Sequence, residues 1–150
     1  MDLHKNTAHQ NHWIIGSNSY WILRHHPYPS PLAGWLLLDS RRHISGFDQF
    51  DHRESNSWGY TIKKASKLVK NLTGCDRVYT ISFGEAVRHL HLHLIPRFAN
   101  DSSTESWLIA DKYRLMQQKK ISVPSEIRIK KLIKDGRTEV QKWSKDWQVY

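Results

Sequence analysis

The stretch from Gly84 to Arg97 reads GEAVRHLHLHLIPR, and in it His89, His91 and His93 alternate with Leu90, Leu92 and Leu94. Successive side chains of a β-strand point to opposite faces, so this period of two predicts a strand with imidazoles on one face and leucines on the other. Alternate side chains lie about 6.6 Å apart along a strand, close enough for neighbouring imidazoles to act on one substrate group or to share a metal ion. A strand face that only meets water needs polarity. Strict repetition of the one side chain that titrates near neutrality points to chemistry instead.

A largely neutral imidazole has a free nitrogen that can attack phosphorus. A second can carry a proton at the leaving group, and a third, or a backbone amide, can hold the phosphate oxygens. His-x-His on a strand is also a way to hold zinc, and a catalytic zinc usually takes three protein ligands. The third would come from elsewhere in the chain, with Glu85 as one candidate.

The 150 residues are the length of one domain, and the formal charge of +9 favours an anionic partner such as a nucleotide phosphate, a nucleic acid or an acidic surface. Cys75 is the sole cysteine, which excludes an internal disulfide and a cysteine-based zinc cluster, and fits a reducing compartment. The opening MDLHKNTAHQNHW lacks the apolar core of a signal peptide, and no apolar run approaches the roughly 20 residues that span a membrane. The expectation is a cytoplasmic protein away from membranes, built as one α+β domain over 1–150. Residues 1–12 form a loose start, with His4, His9 and His12 as surface groups, and 101–150 form a helical C-terminal extension.

Along the chain, Tyr20 to Leu23 and Gly34 to Leu38 read as strands, with Pro27, Pro29 and Pro31 stiffening the loop between them. Arg41, Arg42 and His43 leave the second strand, the two arginines as a solvated strand end or as phosphate contacts. Arg53 to Leu72 predicts a helix with Trp58, Ile62, Ala65, Val69 and Leu72 on its buried stripe, lysines facing water, and Gly74 just past its end. Asp76 to Phe83 predicts a strand, the antiparallel neighbour of the histidine strand, whose regular pairing Pro96 ends.

Beyond it, Ser102 and Glu105 have capping-box spacing for a helix through Gln118, with Trp107, Leu108, Leu115 and Met116 as its buried side. Pro124 suits the first turn of another helix with Ile129, Leu132 and Ile133 on its stripe and Gly136 closing it. Trp143 and Trp147, four apart, share a face of a short helix or packed tail.

The run His89-Leu90-His91-Leu92-His93-Leu94-Ile95 resembles the signature of the histidine triad nucleotide hydrolases and transferases, and the resemblance extends over Tyr20 to Arg97. It implies a five-stranded antiparallel sheet with helices, a homodimer, a nucleoside monophosphate bound beside the triad, and no cofactor or metal. It further implies that His91 attacks the α-phosphorus to give a nucleotidyl-histidine that water cleaves, that His93 contacts the phosphate and leaving group, and that His89 orients the site. Glu85, Ala86 and Arg97 are the implied substrate-binding positions.

The sequence departs from the pattern in three places. Glu85 and Ala86 stand where glutamine and a hydroxyl residue are common. Gly34-Trp35 stands where a histidine is frequent, and no carboxylate lies near His25 or His26 to hold a ribose. A carboxylate at 85 repels a phosphate unless it is protonated or paired, for example with Arg88 or Arg97. The competing readings are a nucleic-acid-directed binder or DNA-adenylate hydrolase, which the charge allows, and a metal-dependent hydrolase using the histidine strand.

Overall fold

The computed structural model describes residues 11–150. Six strands, β1 (Ile14–Ser17), β2 (Trp21–His25), β3 (Leu36–Ser40), β4 (Arg77–Ile81), β5 (His91–Arg97) and β6 (Gln148–Val149), form one sheet in the order β4-β5-β3-β2-β1-β6. Every pairing is antiparallel. The helices are α1 (His52–Thr73), α2 (Ser106–Gln117) and α3 (Glu126–Val140). The α+β class holds, with six strands rather than five, because the end of the chain returns to pair β6 with β1. Two residues carry no readable alternation, and β1 lies directly after the stretch expected to be loose. Of that stretch, residues 1–10, including His4 and His9, lie outside the described residues.

The sheet has one face for packing and one for the site. Trp21, Leu23, Leu36, Leu38, Leu92 and Leu94 share the first face and are buried in the main core together with Leu68 and Val69 of α1 and Ile129 and Ile133 of α3. Residues 101–150 therefore contribute to the main core. Trp35 and Ile95 on the second face pack with Ile109 of α2.

Local chemistry explains the helix limits. Asp51 accepts from the Glu54 amide while the Glu54 carboxylate accepts from the Asp51 amide, a reciprocal cap that starts α1. Gly74 ends it at φ 68°, in the left-handed region. Ala65 and Val69 are buried as expected, Leu68 joins them, and Trp58, Ile62 and Leu72 lie at the edge of the core.

The expected Ser102–Glu105 cap does not form. Asp101 instead caps a short 3-10 turn at Ser102–Thr104, and α2 starts at Ser106. Trp107 and Leu108 are 79% and 41% exposed, while Ile109 and Met116 are buried. Adjacent helical residues point about 100° apart, so 107, 108 and 109 cannot all face the sheet. Ile109, Tyr113 and Met116 form the stripe that does.

In α3 the cap is Ser125, with Pro124 one residue before it, and Gly136 lies inside the helix rather than closing it. A Cβ at Gly136 would stand 3.2 Å from Ile15 Cγ2, so the missing side chain lets α3 approach β1 closely. Trp143 and Trp147 lie beyond α3 on a turn, yet their rings meet edge-on at 5.0 Å.

Pro96 does not end β5. It pairs with Val78 of β4 and lies past Leu94, the last β5 residue paired with β3, so its missing donor faces no neighbouring strand there.

Candidate active site

His91 and His93 lie on β5 and point to the second face, opposite Leu92 and Leu94, with ring centroids 5.1 Å apart. The third histidine departs from expectation. The strand starts at His91, and His89 precedes it, in a segment that leaves the sheet with the Leu90 amide bonded to the Ile44 carbonyl. His89 is buried, its Nε2 2.6 Å from the Ser40 carbonyl. The three imidazoles therefore do not share one strand face.

Hydrogen bonds assign the nitrogens. A carbonyl can only accept, so His91 Nδ1, 2.7 Å from the His89 carbonyl, carries its hydrogen and leaves the lone pair on Nε2. At His93 the logic reverses. Trp35 Nε1–H donates to His93 Nδ1 at 2.9 Å, which places the His93 hydrogen on Nε2. Two neighbouring rings thus present complementary Nε2 atoms, a bare nitrogen on His91 and an N–H on His93.

Burial first, and then the neighbouring His91, His26 and Arg24, lowers the His93 pKa to about 3, so it is a neutral hydrogen-bond donor at pH 7. His26, packed edge-on against Trp35 and Tyr113, is pushed down to about 4 by burial, which outweighs its bond to the Pro27 carbonyl. His25 is lowered to about 4 by burial and holds the proline loop by accepting from the Gly34 amide.

Beside His91 and His93 opens a cleft of about 520 Å³, walled by Trp35, Ile81 and Ile95 from the sheet and by Ser106, Ile109 and Tyr113 from α2. Glu85, Ala86 and Val87, in the connection between β4 and β5, form its rim. Two of the three expected substrate-binding residues are thereby brought to the histidines. Glu85 is exposed and makes no ion pair among the described residues.

Arg97 is the exception. Its buried guanidinium donates to the Phe98 and Asp101 carbonyls and to Thr104 Oγ1, which fastens the turn before α2, and it is absent from the cleft lining. Arg41 bonds Ser17 and Asn18, and Arg42 pairs with Glu54 at 2.7 Å, so both tie the loop after β3 to the fold.

Sequence reasoning missed three contributors. Trp35 fixes the His93 tautomer. His43 lies with Nδ1 2.9 Å from His89 Nδ1. Since His89 Nε2 donates to Ser40, its Nδ1 accepts, and His43 Nδ1 is the donor. Third, Arg24 and Asp39 form a two-bond ion pair, the shorter bond 2.6 Å, on the second face, where Asp39 stands opposite His91. That carboxylate is occupied by arginine. Among the described residues, no three His, Cys, Asp or Glu side chains gather as a metal site, so Glu85 does not complete one with His91 and His93.

Comparison with solved structures identifies the fold as that of the histidine triad proteins. A histidine triad protein from Bradyrhizobium japonicum is similar at TM-score 0.63 and 18% identity, over 87% of this chain and 93% of that one. A Hit-like protein involved in cell-cycle regulation from Bartonella henselae matches at 0.60 and 18%, over 83% and 84% of the two chains. The diadenosine triphosphate hydrolase of Plasmodium falciparum matches at 0.61 and 16%, over 89% and 80%. No protein-family model matches the sequence, and no curated protein matches it. At these identities the likeness carries the architecture, and the residues must carry the chemistry.

Proposed function

We propose that the chain is a histidine triad nucleotide hydrolase or transferase, which cleaves a nucleoside phosphoanhydride, phosphoester or phosphoramidate through a nucleotidyl-histidine. The observation that carries this reading is the pair of oppositely protonated imidazoles at the mouth of a largely apolar cleft. His91 Nε2 attacks the α-phosphorus. A nitrogen–phosphorus bond forms and the bond from phosphorus to the leaving group breaks; a phosphate leaving group departs as an anion with the electron pair, and an amine or alcohol leaving group takes that pair together with a proton from solvent.

The retained Nδ1–H, held on the His89 carbonyl, stabilises the positive charge that the substituted ring acquires. His93 Nε2–H donates to the phosphate and leaving-group oxygens. Because its pKa is low, it acts as a fixed neutral donor, comparable to an oxyanion-hole group, and not as an imidazolium acid. Water then attacks phosphorus and yields a proton to solvent, the nitrogen–phosphorus bond breaks with its electron pair returning to His91 Nε2, and a nucleoside monophosphate is released. The apolar walls suit a nucleobase, and the Glu85 rim places a carboxylate near the departing group.

The likeness to a diadenosine triphosphate hydrolase supports testing dinucleoside polyphosphates first. Intact-protein mass is measured after brief incubation with diadenosine tetraphosphate or adenosine phosphoramidate, with chelator present, together with AMP release. The expected result is a transient gain of one adenylate and AMP release, both abolished by His91→Ala. AMP release that survives in His91→Ala, or that stops on chelation, would overturn the covalent mechanism.

A further inference from the structure

On the opposite side of the sheet from the histidines, a second cleft of about 270 Å³ separates α1 from the end of α3 and the turn beyond it. Its walls carry Lys64, Lys67 and Lys142 together with Asn71 and the ring of Trp143. The one acid in the lining, Glu139, is held by Lys142 at 3.0 Å. Lys64 Nζ lies 4.8 Å from the Tyr60 ring centre and 5.2 Å from that of Trp143, so its charge sits between two aromatic groups. Tyr60 is 58% exposed.

The surrounding helix extends this character. After Glu54, α1 has no acid through Thr73, while Lys63, Lys64, Lys67 and Lys70 recur along it. Two of them, Lys63 and Lys70, stand exposed beside the cleft-lining pair. A solvated helix face ordinarily mixes both signs, as α3 does with Lys130–Glu126 and Lys131–Asp135 pairs. Lysines with no ion pair among the described residues, beside accessible aromatic rings, match what an unpaired nucleic-acid strand needs, cations along the backbone and flat surfaces for the bases.

We propose that this cleft binds single-stranded nucleic acid, with backbone phosphates along Lys63, Lys64, Lys67 and Lys70 and a base against Trp143 or Tyr60. Leu68 lines the cleft and also packs into the core with Leu92 and Leu94, the leucines that point away from His91 and His93. A strand held here is therefore a ligand separate from the nucleotide at the histidines. The inference stands whether or not the proposed hydrolysis does.

A protein of charge +9 attracts any polyanion weakly, so the test must hold net charge constant. Fluorescence anisotropy of a labelled oligothymidylate is followed against salt for the unmodified chain, for Lys64→Glu/Lys67→Glu, and for Lys130→Glu/Lys131→Glu, which removes the same charge from α3. Thermal melting confirms that each variant is folded, and Lys64→Gln/Lys67→Gln serves as a milder form.

The cleft variant is expected to bind about tenfold more weakly, with a slope of log K against log salt shallower by about 1.4, while the α3 variant stays near the unmodified chain. Tyr60→Ala and Trp143→Leu are each expected to weaken single-strand binding several-fold and to leave duplex binding unchanged. Equal losses in the cleft and α3 variants would reduce the effect to net charge and overturn the proposal. So would duplex binding as tight as single-strand binding, attachment to anionic vesicles alone, or displacement of the oligonucleotide by AMP.

Discussion

Strand β5 has two faces made from interleaved residues. Leu92 and Leu94 are 5% and 0% exposed in the main core, while His91 and His93, one residue away, are partly exposed at the cleft. The leucine face tolerates change in proportion to the volume lost, because packing is summed over many contacts. The histidine face depends on single hydrogen atoms. Moving the hydrogen of His91 from Nδ1 to Nε2 would change no volume and would remove the lone pair that the proposed attack on phosphorus uses. Under the proposed mechanism the same backbone carries volume-dependent packing on one side and tautomer-dependent chemistry on the other.

The strongest way to break this division is to truncate each face in turn. His91→Ala is expected to lower adenylate release by about a thousandfold or more, as removal of a covalent nucleophile does, with the melting temperature little changed. Leu94→Ala is expected to destabilise by about 2–5 kcal/mol while the folded fraction keeps its turnover. Chemical denaturation beside steady-state kinetics reads both. A Leu94 variant that stays stable but loses activity per folded molecule would show that the faces are not separate.

The division was legible in the sequence where a simple period governed it. Alternation of histidine and leucine placed His91, His93, Leu92 and Leu94 correctly, and the spacing in α1 located Ala65 and Val69. It failed at His89 because periodicity continues past the point where pairing stops. Strand β5 meets β3 from Asp39↔His91 onward, and before that the chain turns towards Ser40 and Ile44.

His43 escaped for a related reason. Residues just after β3 and just before β5 become neighbours only because those strands run antiparallel, and that pairing was not readable between segments some fifty residues apart. In α2, three consecutive apolar residues left the phase undetermined until Ile109 met Trp35 and Ile95.

Acid acts on both faces through buried histidines. The native pKa values of His25 and His26, about 4, and of His93, about 3, lie below the ordinary 6.5 because burial favours the neutral ring. The unfolded chain therefore binds more protons than the native one between about pH 6.5 and 4, and stability falls as pH falls through that window. Each such histidine contributes a slope of up to about 1.4 kcal/mol per pH unit. Urea midpoints at pH 7 and pH 5 should differ clearly, and His25→Gln, away from the cleft lining, should reduce the difference. Midpoints equal at the two pH values would show that these rings are protonated as readily in the native state as in the unfolded one.

A smaller effect is expected at the bond that sets the His93 tautomer. Trp35→Phe keeps most of the aromatic packing and removes the Nε1–H that donates to His93 Nδ1. Turnover should fall about tenfold, as for loss of one well-placed hydrogen bond, with binding weakened less. The imidazole nitrogen shifts in a ¹⁵N-resolved spectrum should change from one fixed tautomer to a mixture. Tautomer signals unchanged in Trp35→Phe would remove Trp35 from this role.

The smallest effect expected reaches His91, the proposed nucleophile, through two rings and a carbonyl. His43 donates to His89 Nδ1, His89 donates to the Ser40 carbonyl, and the His89 backbone carbonyl accepts the His91 hydrogen. If this chain of bonds positions His91, then His43→Ala loosens the carbonyl that fixes its tautomer, and turnover should drop roughly threefold to tenfold, about the value of one hydrogen bond, with KM nearly constant. His43→Asn, whose amide can present a donor near the same place, should recover part of the loss. A role confined to packing would give a different signature: both variants would lower the melting temperature, and neither would separate kcat from KM. His43 would then be a residue that holds a proton in place on a ring it does not touch, distinct from one that only holds the fold.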